Sequence, residues 1–312
     1  MSSRALRLGS RISPMAIAQS RQVADMITGR TGRTVEIVGL STLGDVSRAQ
    51  LTQIGGTGVF VSALRQALLR GEVDLAVHSL KDLPAGPADG IVLAAVPTRD
   101  DPRDALVARD GAKLADLPPG ARIGTGSPRR AAQLLALRND LRCVPVRGNA
   151  NTRLAKVGSE ELDAVVLACA GLARIGSAEA ITQVFEPEEM LPAPGQGALA
   201  VECRADQPEL AALLGAVSDP ASMAAVTAER SLLQALAAGC SAPVAALAEG
   251  AGQLRMLAAV MSADGSRMLR AHGDAPAADA ARLGRDLGAK LLAAERTGTG
   301  SSRCSQRATT AR

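Results

Sequence analysis

The chain has 312 residues, 47% of them hydrophobic, which is too long for one ordinary core and suits two or three domains of roughly 100 residues each. Five widely spaced cysteines with no CxxC pair, and only two histidines, exclude a disulfide framework, a zinc site and a multi-histidine metal centre as readings. The net charge of +4, its cations mostly arginine, points to an anionic partner, and a chain with no Trp, no Tyr and only Phe60 and Phe185 lacks the stacking platforms of a single-strand nucleic-acid binder.

No apolar run of about 18 residues occurs, and the opening MSSRALRLGSR lacks the apolar stretch of a secretory signal, so a cytoplasmic protein without a membrane segment is expected. Residues 5–9 read as a short strand. Ser13 and Pro14 then open a helix as N-cap and first residue, with apolar positions Met15, Ile17, Ala18 and Val23. Residues 41–60, STLGDVSRAQLTQIGGTGVF, form a polar, glycine-rich insertion of the kind that serves as a lid or stays disordered. The strand GEVDLAVHS at 71–79 follows and delivers Lys81 and Asp82 of VHSLKDLP to its carboxyl end, where Pro84 stops any helix. Asp82 there either caps its own turn or presents a carboxylate able to accept N–H groups and stabilise a developing cation. His78 is expected to pack or hydrogen-bond locally, with no catalytic role.

The stretch 97–106 reads as a crossing to a second unit built like the first: a strand at 121–124, a helix capped by Ser127 and opened by Pro128, and the strand EELDAVVLA at 160–168. This unit lacks the long insertion. GTGSPRR places Arg129 and Arg130 in the first helical turn, where the macrodipole disfavours cations. Either both side chains reach into solvent at a cost of tenths of a kcal/mol each, or a bound anion offsets the repulsion. Arg11, then Arg147, Arg153 and Lys156 of RGNANTRLAKV, and Arg174 after LACAGL occupy comparable strand-to-helix junctions. Ligands of open α/β sheets bind beyond the carboxyl ends of strands, so the set favours a small polyanion. LPAPGQGALAVECR at 191–204 reads as a second crossing in which Gly195 and Gly197 can absorb backbone rotation, and two crossings imply a cleft.

From about residue 218 a third unit begins with the helix MAAVTAERSLLQALAAG, expected to stop at Gly239. Cys240 follows in a loop, where a thiol is either accessible and able to carry a covalent group or an inert small hydrophobe; Cys143, Cys169 and Cys203 lie in apolar runs and read as inert. Alternating apolar and polar residues around the turn ADGSR, a last helix ADAARLGRDLGAKLLAAE and a polar tail at 297–312, expected to be disordered, complete the chain.

Taken in order, LGSRISPMAIAQ, GGTGVFVSAL, VDLAVHSLKDLP, TRDDPRDAL, GTGSPRR, RGNANTRL, LACAGLARIG, LPAPGQGALAVECR and AERSLLQALAAGCSAPV resemble the porphobilinogen deaminases, from about Leu6 to Glu295. The resemblance implies an α/β fold of three domains. Two similar, periplasmic-binding-protein-like lobes, 5–98 plus 194–215 and 99–193, would flank a cleft; a small α+β domain, 216–296, would carry the cofactor cysteine, leaving 297–312 as a tail.

It also implies a hydroxymethylbilane synthase that condenses four porphobilinogen molecules, with loss of ammonia, onto a dipyrromethane cofactor thioether-linked to Cys240. Asp82 would be the catalytic carboxylate. Arg11, Arg129, Arg130, Arg147, Arg153 and Arg174 would bind the acetate and propionate groups, supported by Ser13, Lys81, Thr125, Ser127 and Gly148. Its partners would be porphobilinogen and the growing pyrrole chain, with no nucleic acid and no membrane, and the enzyme would be a cytoplasmic monomer. Two positions depart from the family pattern: Thr57 stands where a lid lysine is common, and Gly126 where a serine is; neither touches Asp82 or Cys240. The competing readings are a non-catalytic two-lobed binding protein for a carboxylated ligand, which would need neither Asp82 nor Cys240, and then a nucleic-acid binder, against which the missing aromatics count.

Overall fold

The structure, a computed structural model, describes residues 4–40, 58–159, 161–238 and 242–297. Cys240, Thr57, all but the last three residues of the 41–60 insertion, and residues 298–312 of the expected tail lie outside the described residues.

The first lobe starts with β1 (Leu6–Arg11), two residues longer at its end than expected because its parallel ladder with β2 (Val35–Leu40) runs on to Arg11 opposite Leu40. Between them α1 (Pro14–Thr31) is capped by Ser13, whose Oγ accepts from the Ala16 N–H at 3.3 Å, with Pro14 in the first turn where its missing donor costs nothing. After α2 (Gly58–Leu69) come β3 (Leu75–Ser79) and β4 (Ile91–Ala95). The chain then leaves the lobe.

The second lobe contains β5 (Asp104–Ala108), β6 (Arg122–Gly124), α3 (Pro128–Leu137), β7 (Arg142–Val144), α4 (Ala150–Gly158), β8 (Ala164–Ala168), α5 (Cys169–Arg174) and β9 (Gln183–Val184). The chain returns through β10 (Leu199–Arg204) and α6 (Pro208–Gly215) to the first lobe. The two sheets have equivalent orders, β2-β1-β3-β10-β4 and β7-β6-β8-β5-β9. In each, four strands run in one direction and the fifth, inserted antiparallel beside the edge strand, is the segment that has just crossed between the lobes. This explains the recurrence of strand, Ser-Pro helix and acidic-apolar strand along the chain.

Inside the first lobe a buried ion cluster ties helix to sheet. Arg65 of α2 donates to both oxygens of Glu202 on β10 at 3.0 and 2.6 Å, and His78 Nε2 on β3 lies 3.1 Å from the same carboxylate. Burial raises the Glu202 pKa, but His78 and Arg65 outweigh it and bring the carboxyl down to about 2. His78 is thus held locally, as expected.

The third unit is α7 (Pro220–Ala235), the antiparallel meander β11 (Val244–Glu249), β12 (Gln253–Met261) and β13 (Met268–Pro276), and α8 (Ala280–Thr297). Leu232 of α7, Leu254 and Met256 of β12, and Leu283 and Leu287 of α8 fill the core between helices and sheet. The opposite face of the sheet, with Ala245, Leu247, Ala259 and Met261, packs on Ala132 of α3 and on Leu191. Helix α7 also reaches the first lobe, where Val226 joins Leu80, Leu83 and Val96. It ends at Ala235 rather than at Gly239: Ala237 turns left-handed at φ 49°, and the Ala238 N–H closes onto the Leu233 carbonyl at 3.0 Å. The last helix runs to Thr297, so the expected tail loses that residue to regular structure.

Among the described residues no single helix is long and apolar enough to cross a membrane; α6 and α7 together meet length and composition criteria, but they bend by 113°.

Candidate functional site

Lys81 and Asp82 sit on a 3-10 turn, Leu80–Asp82, directly after β3. The sequence LKDL divides its side chains by burial. Leu80 and Leu83 are 2% and 3% exposed and anchor the turn in the core, worth roughly 1.5–3 kcal/mol each, while Lys81 and Asp82 are left half-buried at its outer side. The Leu80 N–H donates to the Ala198 carbonyl at 3.0 Å, fixing the turn to the second crossing. From α7, Arg230 donates to the carbonyls of Leu83, Pro84 and Ala85 at 3.2, 2.8 and 3.2 Å, and Gln234 donates to Ala85 at 2.5 Å.

Arg129 and Arg130 do not reach into solvent. Both are buried, and both engage Asp104, the first residue of β5. Arg130 donates to Asp104 Oδ1 through Nε and Nη2 at 2.9 and 2.7 Å and to the Val166 carbonyl at 3.0 Å; Arg129 Nη1 lies 2.8 Å from Asp104 Oδ2 and donates to the Leu191 carbonyl at 2.7 Å. Burial pushes the Asp104 carboxyl up, yet the two guanidinium charges win and hold it well below the usual carboxylate range. The carboxylate therefore supplies the counter-charge that the helix N-terminus cannot. One carboxylate against two guanidinium groups leaves net positive charge, and Arg129 Nε is buried without a partner.

Gln196 joins this cluster to Lys81. Its side-chain amide is 1% exposed as part of the residue and donates through Nε2 to the Pro102 carbonyl at 2.7 Å and to Asp104 Oδ1 at 2.9 Å. Its Oε1 accepts from Lys81 Nζ at 3.3 Å and from Arg130 Nη2 at 3.5 Å. Burial first, and then the charge of Arg130, push Lys81 down to about 8.

The glycines beside Gln196 serve close packing rather than looseness. Gly195 (φ 75°) and Gly197 (φ 86°) are left-handed, and a Cβ at Gly195 would collide with Leu80, one at Gly197 with the Asp100 carbonyl. Both crossings are pinned further. Arg174, the last residue of α5, donates to Asp100 at 2.9 Å and to the Gly197 carbonyl at 2.7 Å. Arg99 donates to the Gln196 carbonyl at 2.8 Å and to the fully buried Glu229 of α7 at 2.7 and 3.2 Å.

A pocket forms where the three units meet, lined by Lys81 from the first lobe, Ser127 and Arg129 from the second, Ala193 and Pro194 from the second crossing, and Leu233, Ala242 and Val244 from the third unit. Ser127 caps α3, accepting from the Arg130 N–H at 3.4 Å, and its own N–H donates to the buried Thr125 hydroxyl at 3.2 Å. Arg153 donates to the Gly148 carbonyl at 2.9 Å, closing the turn in which Gly148 takes φ 100°; its guanidinium is pushed down by burial and by Arg130.

Of the residues singled out from sequence, Lys81, Ser127 and Arg129 line one pocket, Arg130 and Thr125 are hydrogen-bonded to Ser127, and Arg153 lies within the field of Arg130. Arg11 ends β1, Ser13 is occupied as a helix cap, Arg147 is exposed, and Arg174 is spent on the crossings. Gln196 and Asp104 were missed. The signal for them lay within PGQGA and DPRDA, where a polar residue between two glycines and an acid after an arginine both sit in crossing segments.

A family model described as "Porphobilinogen deaminase, dipyromethane cofactor binding domain" matches residues 6–212, and one described as "Porphobilinogen deaminase, C-terminal domain" matches residues 223–293. The chain is 63% identical over 274 residues to the porphobilinogen deaminase of Thermobifida fusca, covering 87% of this chain and 86% of the relative. It is 55% identical over 307 residues to porphobilinogen deaminase 1 of Streptomyces coelicolor, covering 94% and 96%. Among solved structures, a periplasmic substrate-binding protein of an ABC transporter from Coxiella burnetii is similar with a TM-score of 0.44 and 18% identity, covering 72% of this chain and 96% of that one.

Proposed function

The chain belongs to the porphobilinogen deaminase family, and on that premise we propose how its own residues share the reaction. The enzyme condenses porphobilinogen units stepwise, with loss of ammonia, and its cofactor is dipyrromethane. We assign cofactor attachment to Cys240 and the catalytic carboxylate to Asp82. Ala242, two residues beyond Cys240 in the chain, lines the pocket that Lys81, Ser127 and Arg129 also line.

The observation that carries the assignment is the unpartnered, buried Nε of Arg129 at a pocket bordered by the turn of Lys81 and Asp82. A donor buried without an acceptor costs about 1–3 kcal/mol, which a carboxylated ligand recovers by accepting from it. The donor set fits a dipyrromethane, whose rings carry carboxylates and whose N–H groups need an acceptor. When bound, that group would supply the free α-carbon onto which the first ring is added, each later ring adding to the free α-carbon of the chain's terminal ring.

Lys81, Arg129, Arg130 and Arg153 hold acetate and propionate groups, with Arg11 and Arg147 at the outer reaches of the cleft and Ser13, Thr125, Ser127, Gly148 and Arg174 fixing the surrounding backbone. Asp82 accepts from pyrrole N–H groups. As the C–N bond of porphobilinogen breaks and ammonia leaves, positive charge spreads into the ring, and the Asp82 carboxylate stabilises it electrostatically. A C–C bond then forms at the vacated carbon, and the proton lost from the attacking α-carbon passes to a base. Water finally frees the four-ring chain.

The domain limits 5–98 plus 194–215, 99–193 and 216–296 are part of this proposal, as is a cytoplasmic monomer acting on porphobilinogen and its growing chain, apart from membrane and nucleic acid. The scarcity of aromatic residues supports the last point.

The deciding experiment is the intact mass of the purified protein beside that of Cys240→Ser. The wild type should exceed its sequence mass by two deaminated porphobilinogen units, after incubation with porphobilinogen if purified without them. The variant should not. An adduct retained by Cys240→Ser, or one never formed by the wild type, overturns the attachment site.

A further inference from the structure

We propose that Gln196 is a positioning residue for the reaction, its side-chain oxygen holding Lys81 of the first lobe and Arg130 of the second toward one another so that both cations meet the same anionic chain. This rests on the assignment of Lys81 and Arg130 to the pyrrole carboxylates.

Two cations facing one cleft repel, and something must hold them there. The amide orientation of Gln196 is fixed by its partners. Lys81 and Arg130 can only donate, while the Pro102 carbonyl and the Asp104 carboxylate can only accept, so Oε1 must face the cations and Nε2 the acceptors. The two ends are not equally tight. Nε2 anchors at 2.7 and 2.9 Å to the first crossing and β5, whereas Oε1 is shared between Lys81 at 3.3 Å and Arg130 at 3.5 Å.

The tight end belongs wholly to the path into the second lobe; the one side-chain bond to the first lobe is the long one to Lys81. Arg130 is already anchored by Asp104 and Val166, so Gln196 fixes where Lys81 stands relative to it without neutralising either cation. A neutral acceptor suits this purpose. A carboxylate there would neutralise the charges that the substrate needs, and an apolar side chain would release Lys81.

Lys81 is surrounded by Arg130 and Arg129 of α3, Asp104 of β5 and Asp82 of its own turn. Adding one negative charge at residue 196 must raise its titration midpoint. The chain has four lysines, Lys81, Lys113, Lys156 and Lys290, so an NMR titration of lysines labelled at the ε-carbon reads Lys81 directly once Lys81→Met identifies its signal.

In Gln196→Glu the midpoint of Lys81 should rise by at least about half a pH unit, and KM for porphobilinogen should rise roughly tenfold with the primer mass intact and kcat less affected. In Gln196→Met, which has similar volume and no polar amide, the midpoint should fall and KM should again rise. If Gln196→Glu does not fold, Gln196→Met decides. A wild-type midpoint or a wild-type KM in the folded variant overturns the proposal. Lys81→Met separates the two levels: if it raises KM while the Gln196 variants do not, the inference about Gln196 fails alone; if it leaves KM unchanged, the assignment of Lys81 to the carboxylates fails and takes this inference with it.

Discussion

Under the proposed assignment the neighbours Lys81 and Asp82 have different tasks, and single substitutions separate them. Asp82→Asn preserves shape while removing charge, so the variant should fold and load its primer but lose turnover on the order of 100-fold, read as kcat beside intact mass. A near-normal kcat would remove Asp82 from the chemistry. Lys81, brought to about 8 by burial and Arg130, is charged only below that pH. KM for porphobilinogen should therefore be constant on the acid side and climb as the pH passes through about 8; a KM that stays constant up to the ordinary lysine range contradicts the assignment. For stability the sign is that of a depressed lysine. Holding Lys81 charged costs the fold below about 8, and the cost fades as pH rises toward 10.5. The places of Asp82, Arg129, Arg130 and Arg174 in the fold were legible because short local motifs deliver them to strand and helix ends. Gln196 was not, since its bonds to Lys81 and Asp104 span 115 and 92 residues of sequence and no local pattern announces them.

The packing of elements explains why the second crossing carries Gly195 and Gly197 so close together. Gly197 is left-handed, faces the Asp100 carbonyl and gives its own carbonyl to Arg174, so Gly197→Ala must distort both crossings at once. Its expected cost is roughly 1–3 kcal/mol of stability, measured by chemical denaturation, together with reduced activity. A variant of wild-type stability would mean that the crossing tolerates a Cβ after all. The helix starts at Ser13 and Ser127 were readable because cap and proline act within a few residues. The end of α7 was not: Ala237 takes a left-handed conformation where a glycine was expected to do so, a choice imposed by packing around Ala238 rather than by local preference. The orientation of Arg129 and Arg130 likewise escaped local reading, because Asp104 reaches them from β5, separated in the sheet by β8 from the β6 strand that precedes their helix.

For the molecule as a whole, one buried carboxylate links all three units. Glu229 on α7 accepts from Arg99 of the first crossing, from the Gly195 N–H of the second at 2.5 Å and from the Ala248 N–H of β11 at 2.8 Å, and it is fully buried. Glu229→Gln leaves Arg99 without its counter-charge and should cost about 3–5 kcal/mol. Scanning calorimetry should show a lowered midpoint, with the third unit melting apart from the lobes; a single unshifted transition would show that the link is dispensable. The paired strand orders have another consequence, one of timing. Because β10 inserts between β3 and β4, a chain emerging from the ribosome completes the second sheet at Val184 while the first still lacks the strand that joins β4 to the rest. The lobe that begins the polypeptide is the later of the two to close. Its half-built sheet must wait, with two facing edges unpaired, for residues made after the whole of its neighbour.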